Sequence, residues 1–161
     1  MSFRQAVLAS PPVIGNAFRP GKQALSSHST KVACADERRI TGSIDLDTAL
    51  QQQLKHAQAP RWDYGLGYRQ PNGSREFAIW VEVHSAFTGE VRAVVRKLSW
   101  LRDYVAAQCP SLWKITPSRK DEPKAFVWVA SNGIHITRNS PQARLLAQSG
   151  LGWPTTVLRL P

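Results

Sequence analysis

Cysteine and negative charge are both scarce in this chain, and a long apolar run is missing. Only Cys34 and Cys109 occur. They form no Cys-x-x-Cys pair and, with four scattered histidines, no zinc spacing. We therefore expect two buried free thiols in a cytoplasmic protein, not a disulfide or zinc scaffold. No segment approaches the roughly 18 consecutive apolar residues of a membrane span, so no membrane partner is expected. The stretch MSFRQAVLASPPVIGNAF carries Arg4 and a short apolar patch, but Pro11-Pro12 interrupts it, which argues against a secretory leader. Internal repeats, a Ser-His-Asp order, a glycine-rich phosphate loop and a helical metal motif are also missing.

What is present suits one folded domain with a proper core: 161 residues, 42% of them hydrophobic, with six Trp. Basic residues outnumber acidic ones by 21 to 11, for a formal charge of +10. The excess is uneven. Residues 1–39 carry a net +4, residues 40–84 a net −1, and residues 85–161 a net +7. A weakly acidic segment flanked by basic ones points to a polyanion partner, DNA ahead of RNA. A homodimer or a protein partner stays open.

Residues 1–38 are rich in Ser, Ala, Pro and Gly without sustained periodicity, and read as an irregular basic arm, draped or mobile, with a short helix near 22–27. Residues 39–161 read as one α/β domain. RITGSI (39–44) is a brief strand, and Asp45 or Asp47 caps a helix reaching Lys55. Strands follow near 62–69 and 76–84 around Asn72-Gly73, a strong signal for a two-residue type I′ hairpin. GEVRAVVRKLSWLRDYVAA (89–107) is the clearest helix, with Val91, Val94, Val95, Leu98, Leu101 and Val105 in one apolar stripe. AFVWVA (125–130) is a strand, Asn132-Gly133 a second tight turn, Ser140-Pro141 the start of a short helix, and TTVLRL (155–160) a last strand. The order implies an α/β (α+β) fold: a single mixed β-sheet flanked by helices, with a helical crossover after the hairpin.

The hairpin carries the chemistry. With Asn72 and Gly73 as loop residues, 69 faces 76, 65 faces 80, and Asp63 faces Glu82. Like charges directly opposed in neighbouring strands destabilise a sheet, so the pair needs a reason. Alternation puts Trp80, Glu82 and His84 on one face, and Gly65 and Gly67 on the partner strand leave a small-residue floor beside them. Two carboxylates and an imidazole so placed suit Mg²⁺ or Mn²⁺, which favour carboxylate oxygens and substrate phosphates. The competing reading is a solvated sheet face with its carboxylates paired to Arg61 or a helix cation.

A carboxylate at the start of one strand, Glu82-Val83-His84 near the end of the next, then a helix and the strand FVWVA, resembles the PD-(D/E)xK nuclease superfamily over about residues 39–130. The resemblance implies a restriction-endonuclease-like core and metal-dependent phosphodiester hydrolysis, with Asp63 and Glu82 as metal ligands. Two departures stand out: Trp62 precedes Asp63 where the family has Pro, and His84 stands where the family has Lys. The resemblance lets the following helix supply the missing cation, from Lys97 or Arg96, and lets Asp45 or Asp47 replace a first-helix acid. The expected catalytic set is Asp63, Glu82, His84 and Lys97. Arg61, Arg92, Arg96, Arg119, Lys120 and Lys124 are the expected nucleic-acid contacts. The alternatives are a non-catalytic nucleic-acid-binding or partner-binding protein on the same scaffold, or an assembly protein docking through its basic arm.

Overall fold

The computed structural model describes all 161 residues. Two short helices, α1 (Phe3–Leu8) and α2 (Pro12–Gly15), precede a run of 3₁₀ turns over Gln23–Lys31 and a short strand β1 (Val32–Cys34). The central unit then follows: β2 (Ile40–Asp45), α3 (Leu46–Gln51), β3 (Tyr64–Arg69), β4 (Glu76–Phe87), α4 (Val91–Gln108), α5 (Pro110–Lys114) and β5 (Phe126–His135). The chain closes with α6 (Pro141–Ser149) and β6 (Leu158–Leu160). No helix is long and apolar enough to cross a membrane.

One mixed four-stranded sheet, ordered β2-β3-β4-β5, forms the centre. The first two pairings are antiparallel, and β4–β5 is parallel across the α4 crossover. A separate two-stranded parallel sheet joins β1 to β6. Helices cover the face carrying Ala78, Trp80, Ala86, Trp128 and Ala130, where α4 inserts Val91, Val94, Leu98 and Leu101. The 3₁₀ segment, β1 and β6 cover the face carrying Phe77, Ile79, Val81, Val127 and Val129 through Leu25, Val32, Leu158 and Leu160. With both faces covered, β4 is buried from Glu76 to Val83. Its near-continuous apolar run follows from that double cover.

Residues 1–38 are folded, where the sequence suggested an irregular arm. Phe3, Ala6, Val7 and Ile14 are fully buried in the same core as α4. Ser2 and Gln5 form a reciprocal capping box at the start of α1. The buried Glu76 carboxylate accepts from the Phe3 N–H (2.8 Å), Thr41 Oγ1 (2.9 Å) and Arg69 Nη2 (2.9 Å). Burial works to raise its pKa, but these donors outweigh it and hold the carboxyl below its ordinary value.

Three local expectations are corrected. The β3–β4 register is as expected, Tyr64 on Val81 through Arg69 on Glu76, but the turn is not type I′. Gly73 avoids positive φ, and its N–H donates to the Gln70 carbonyl (3.4 Å) around Pro71-Asn72. Asn132-Gly133 is not a hairpin turn either. It is a bulge in β5 between Ala130, paired with His84, and Ile134, paired with Ala86, with Gly133 at φ 77°. Gly65 and Gly67 do not form an open floor. A Cβ at Gly67 would lie 2.5 Å from Phe3 Cβ, and one at Gly65 would lie 3.0 Å from Ile44 and Trp80. The space beside these glycines is filled by the protein's own side chains.

Candidate active site

Asp63 immediately precedes β3, and its carbonyl accepts from the Leu46 and Asp47 N–H groups at the start of α3 (2.8 and 3.3 Å). Glu82 lies on β4, on the face turned to α4. Each carboxylate accepts from a backbone N–H at or next to the other acid. The Asp63 N–H donates to Glu82 Oε2 (3.0 Å), and the Val83 N–H donates to Asp63 Oδ2 (3.0 Å). That reciprocal pairing lets two acids face each other across the strands. Lys97, nearly two turns into α4, donates to Glu82 Oε1. His84 Nε2 lies 2.9 Å from Glu90 Oε2, while Nδ1 faces Glu82 Oε1 at 3.7 Å.

The electrostatics are lopsided. Glu82 is fully buried, and its pKa is pushed up to about 8 by burial first and by the Asp63 charge second. Lys97 and the Asp63 N–H pull it down but do not win. Asp63, half-buried, is also raised by burial, with Asp47 and Asp45 adding to the shift against Lys97 and the Val83 N–H. One ammonium therefore serves two desolvated carboxyls, and the site favours an added proton or another cation.

The expected catalytic set does converge: Asp63, Glu82, His84 and Lys97 form one connected network. Arg96 points to solvent, so of the two helix candidates only Lys97 reaches Glu82. Asp45 and Asp47 are occupied elsewhere. Asp45 caps α3 by accepting from Thr48 N and Oγ1 (2.9 and 2.8 Å), and Asp47 pairs with Arg61 (2.9 Å). Arg61 also donates to the His56 and Ala57 carbonyls (2.7 Å each). It is a clamp on the loop after α3, not a free cation. Arg92, Arg96, Arg119, Lys120 and Lys124 are exposed. Cys109 is buried, whereas Cys34 is only half-buried and both are free thiols. Glu90 is the residue that sequence reasoning missed. Its signal was an acid in the turn between the His84 strand and the helix, six residues after His84.

No group of three or more His, Cys, Asp or Glu side chains is arranged to hold a metal ion, so an all-protein cage is not present. Two carboxylates are, and Asp63 Oδ1 accepts no hydrogen bond while Oδ2 takes the Val83 N–H. The pair is of the donor type that Mg²⁺ or Mn²⁺ use, one or two carboxylates with other positions left to water and substrate phosphate, although both Glu82 oxygens already accept, from the Asp63 N–H and Lys97. Compared with protein-family models, curated proteins and solved structures, the chain gives no match.

Proposed function

We propose that this protein is a metal-dependent nuclease that hydrolyses phosphodiester bonds in DNA or RNA, a divergent relative of the PD-(D/E)xK group. The observation that carries the reading is the Asp63–Glu82–Lys97 constellation: two opposed, desolvated carboxyls sharing one ammonium beside a histidine. A structural role alone gives little reason to bury an acid pair that must recruit a proton. When bound, Mg²⁺ or Mn²⁺ would supply Lewis-acid polarisation of the phosphate and a lowered pKa for water.

Asp63 and Glu82 are the residues that would hold the ion. Lys97 offsets one of the two negative charges and places a donor beside the phosphate. The Glu90 carboxylate accepts from His84 Nε2–H, which turns Nδ1 toward the site. His84 is thus held to take a proton from water as the water oxygen bonds to phosphorus and the bond to the leaving sugar oxygen breaks. The leaving oxygen takes its proton from solvent. Glu90 is a positioning residue in this scheme.

The test is incubation of plasmid, single-stranded DNA and RNA with the protein in Mg²⁺, in Mn²⁺ and in EDTA, alongside Asp63→Ala and Glu82→Ala. We expect metal-dependent cleavage by the wild type and a loss of about a hundredfold or more in each variant. Cleavage that survives both substitutions removes this site from the reaction. Binding without cleavage by the wild type would favour a non-catalytic nucleic-acid-binding protein.

A further inference from the structure

A second charged feature lies on the other flank of α4. Arg102 follows Lys97 by five residues, about 140° around the helix. Lys97 turns to Glu82, whereas Arg102 donates to the Ser149 carbonyl of α6 (3.3 Å) and stacks over the Phe126 ring of β5, 4.9 Å from its centroid. Beside it the loop before β5 presents Arg119, Lys120 and Lys124, and together they line an open cleft of about 460 Å³ closed on one side by Gly150-Leu151-Gly152.

The charge there is uncompensated. Arg102, Lys120 and Lys124 have no carboxylate within ion-pair distance, and Arg119 meets only the exposed Asp121 at 3.4 Å. Glu122 is the one acid lining the cleft, and it is already used. It binds Arg75 (2.7 Å) and accepts from the Ser118 and Arg119 N–H groups (2.8 and 3.1 Å). The two glycines lie directly against the cations. A Cβ at Gly150 would stand 3.4 Å from Arg102 Nη2, and one at Gly152 would stand 3.6 Å from Lys124 Nζ. Both glycines hold φ 80°, a conformation that side chains disfavour.

We infer that this cleft binds the sugar-phosphate backbone of a polynucleotide, without reading its bases, at a site separate from the acidic pair. Its chemistry separates this ligand from a mononucleotide. Phe126 is the one aromatic side chain in the lining, and Arg102 already stacks over its ring, so little aromatic surface is left for a base. Spread cations in an open trough suit successive phosphates, whose contacts position a chain and carry no sequence information. The inference rests on the nuclease reading for its class of partner, and it requires no cleavage.

The test is fluorescence anisotropy with a labelled duplex DNA of about 20 base pairs, in EDTA, between about 50 and 200 mM salt. The variants are the double Lys120→Gln/Lys124→Gln and, as a control of equal net charge, Lys55→Gln/Arg38→Gln, all at exposed positions. The cleft double should bind at least about tenfold more weakly at low salt, with a log–log salt slope shallower by about two. The control should bind within about twofold of wild type, and unrelated duplexes should bind alike. Equal losses in both doubles, an unchanged salt slope, or competition by adenosine monophosphate at matched phosphate concentration would overturn the proposal. Because binding is read without metal, absent cleavage would remove the catalytic reading and leave this one standing.

Discussion

Glu82→Gln isolates the central electrostatic claim. In the metal-free protein Glu82 titrates near pH 8, against an ordinary value of 4.5. Between those values the folded state holds one more proton than the unfolded state, so unfolding free energy falls as pH rises. The slope reaches at most about 1.4 kcal/mol per pH unit, with a ceiling of about 5 kcal/mol over the whole window. Gln cannot titrate, so its stability relative to wild type should climb from pH 5 to pH 8 and then level off. The amide also costs something that does not depend on pH. Its oxygen can keep the Asp63 N–H, but its NH₂ then faces Lys97, a loss of about 1–2 kcal/mol. Gln should therefore start below wild type at pH 5 and cross above it; the slope, not the offset, is diagnostic. Urea denaturation at each pH in EDTA measures it. A stability of the variant relative to wild type that stays constant from pH 5 to pH 8, or that falls, would refute the claim that burial and Asp63 outweigh Lys97.

Two further comparisons test the packing around the site. Gly67→Ala would drive a methyl into Phe3 and Thr41 Oγ1 and should cost about 1–3 kcal/mol, whereas Gly89→Ala, with nothing within 4 Å, should stay within about 0.5 kcal/mol; equal urea midpoints would contradict the Phe3 contact. Trp62 Nε1 is buried without a partner, while Trp80 Nε1 donates to Thr116 Oγ1 and Trp128 Nε1 to the His84 carbonyl (3.1 Å each). Trp62→Phe should therefore cost less than Trp80→Phe or Trp128→Phe by about 1 kcal/mol, and three equal losses in thermal or urea melts would argue against it.

How much of this was legible in the sequence depended on the length over which each signal ran. The α4 stripe runs for about four turns, and all but one of its six expected apolar residues are buried, with Val95 half-buried. The β3–β4 register was legible because strand alternation and the symmetry of the connection about positions 72 and 73 both fix it. The turn itself was misread, since Asn-Gly competes with Pro71, which favours the second position of an ordinary turn. Residues 1–38 hid their packing for a different reason. Helix α1 is six residues long, so Phe3, Ala6 and Val7 offer a single apolar repeat before Pro11-Pro12. What anchors them is Glu76 and the notch at Gly67, both more than sixty residues away. A contact of that kind leaves no local pattern. Gly67 was accordingly read as part of an open floor when it was room for Phe3.

The site shows the same division between local and distant signals. Asp63 and Glu82 followed from register, but the choice between Arg96 and Lys97 needed the helix in place. Adjacent helix positions differ by about 100°, and the one turned toward β4 is decided by Val94, Leu98 and Leu101 settling into the core. Lys97, at the edge of that apolar stripe, then reaches Glu82. His84, though nearer in sequence and on the same face as Glu82, is held toward Glu90 and leaves 3.7 Å between Nδ1 and Glu82 Oε1. The two nitrogen groups therefore hold different places: the ammonium sits on the buried carboxylate and the imidazole stands back from it. A lysine at position 84 would bring a second cation to Glu82, and the proton-demanding character of the pair would be lost. The histidine in this strand is compatible with the site because the helix already supplies the charge.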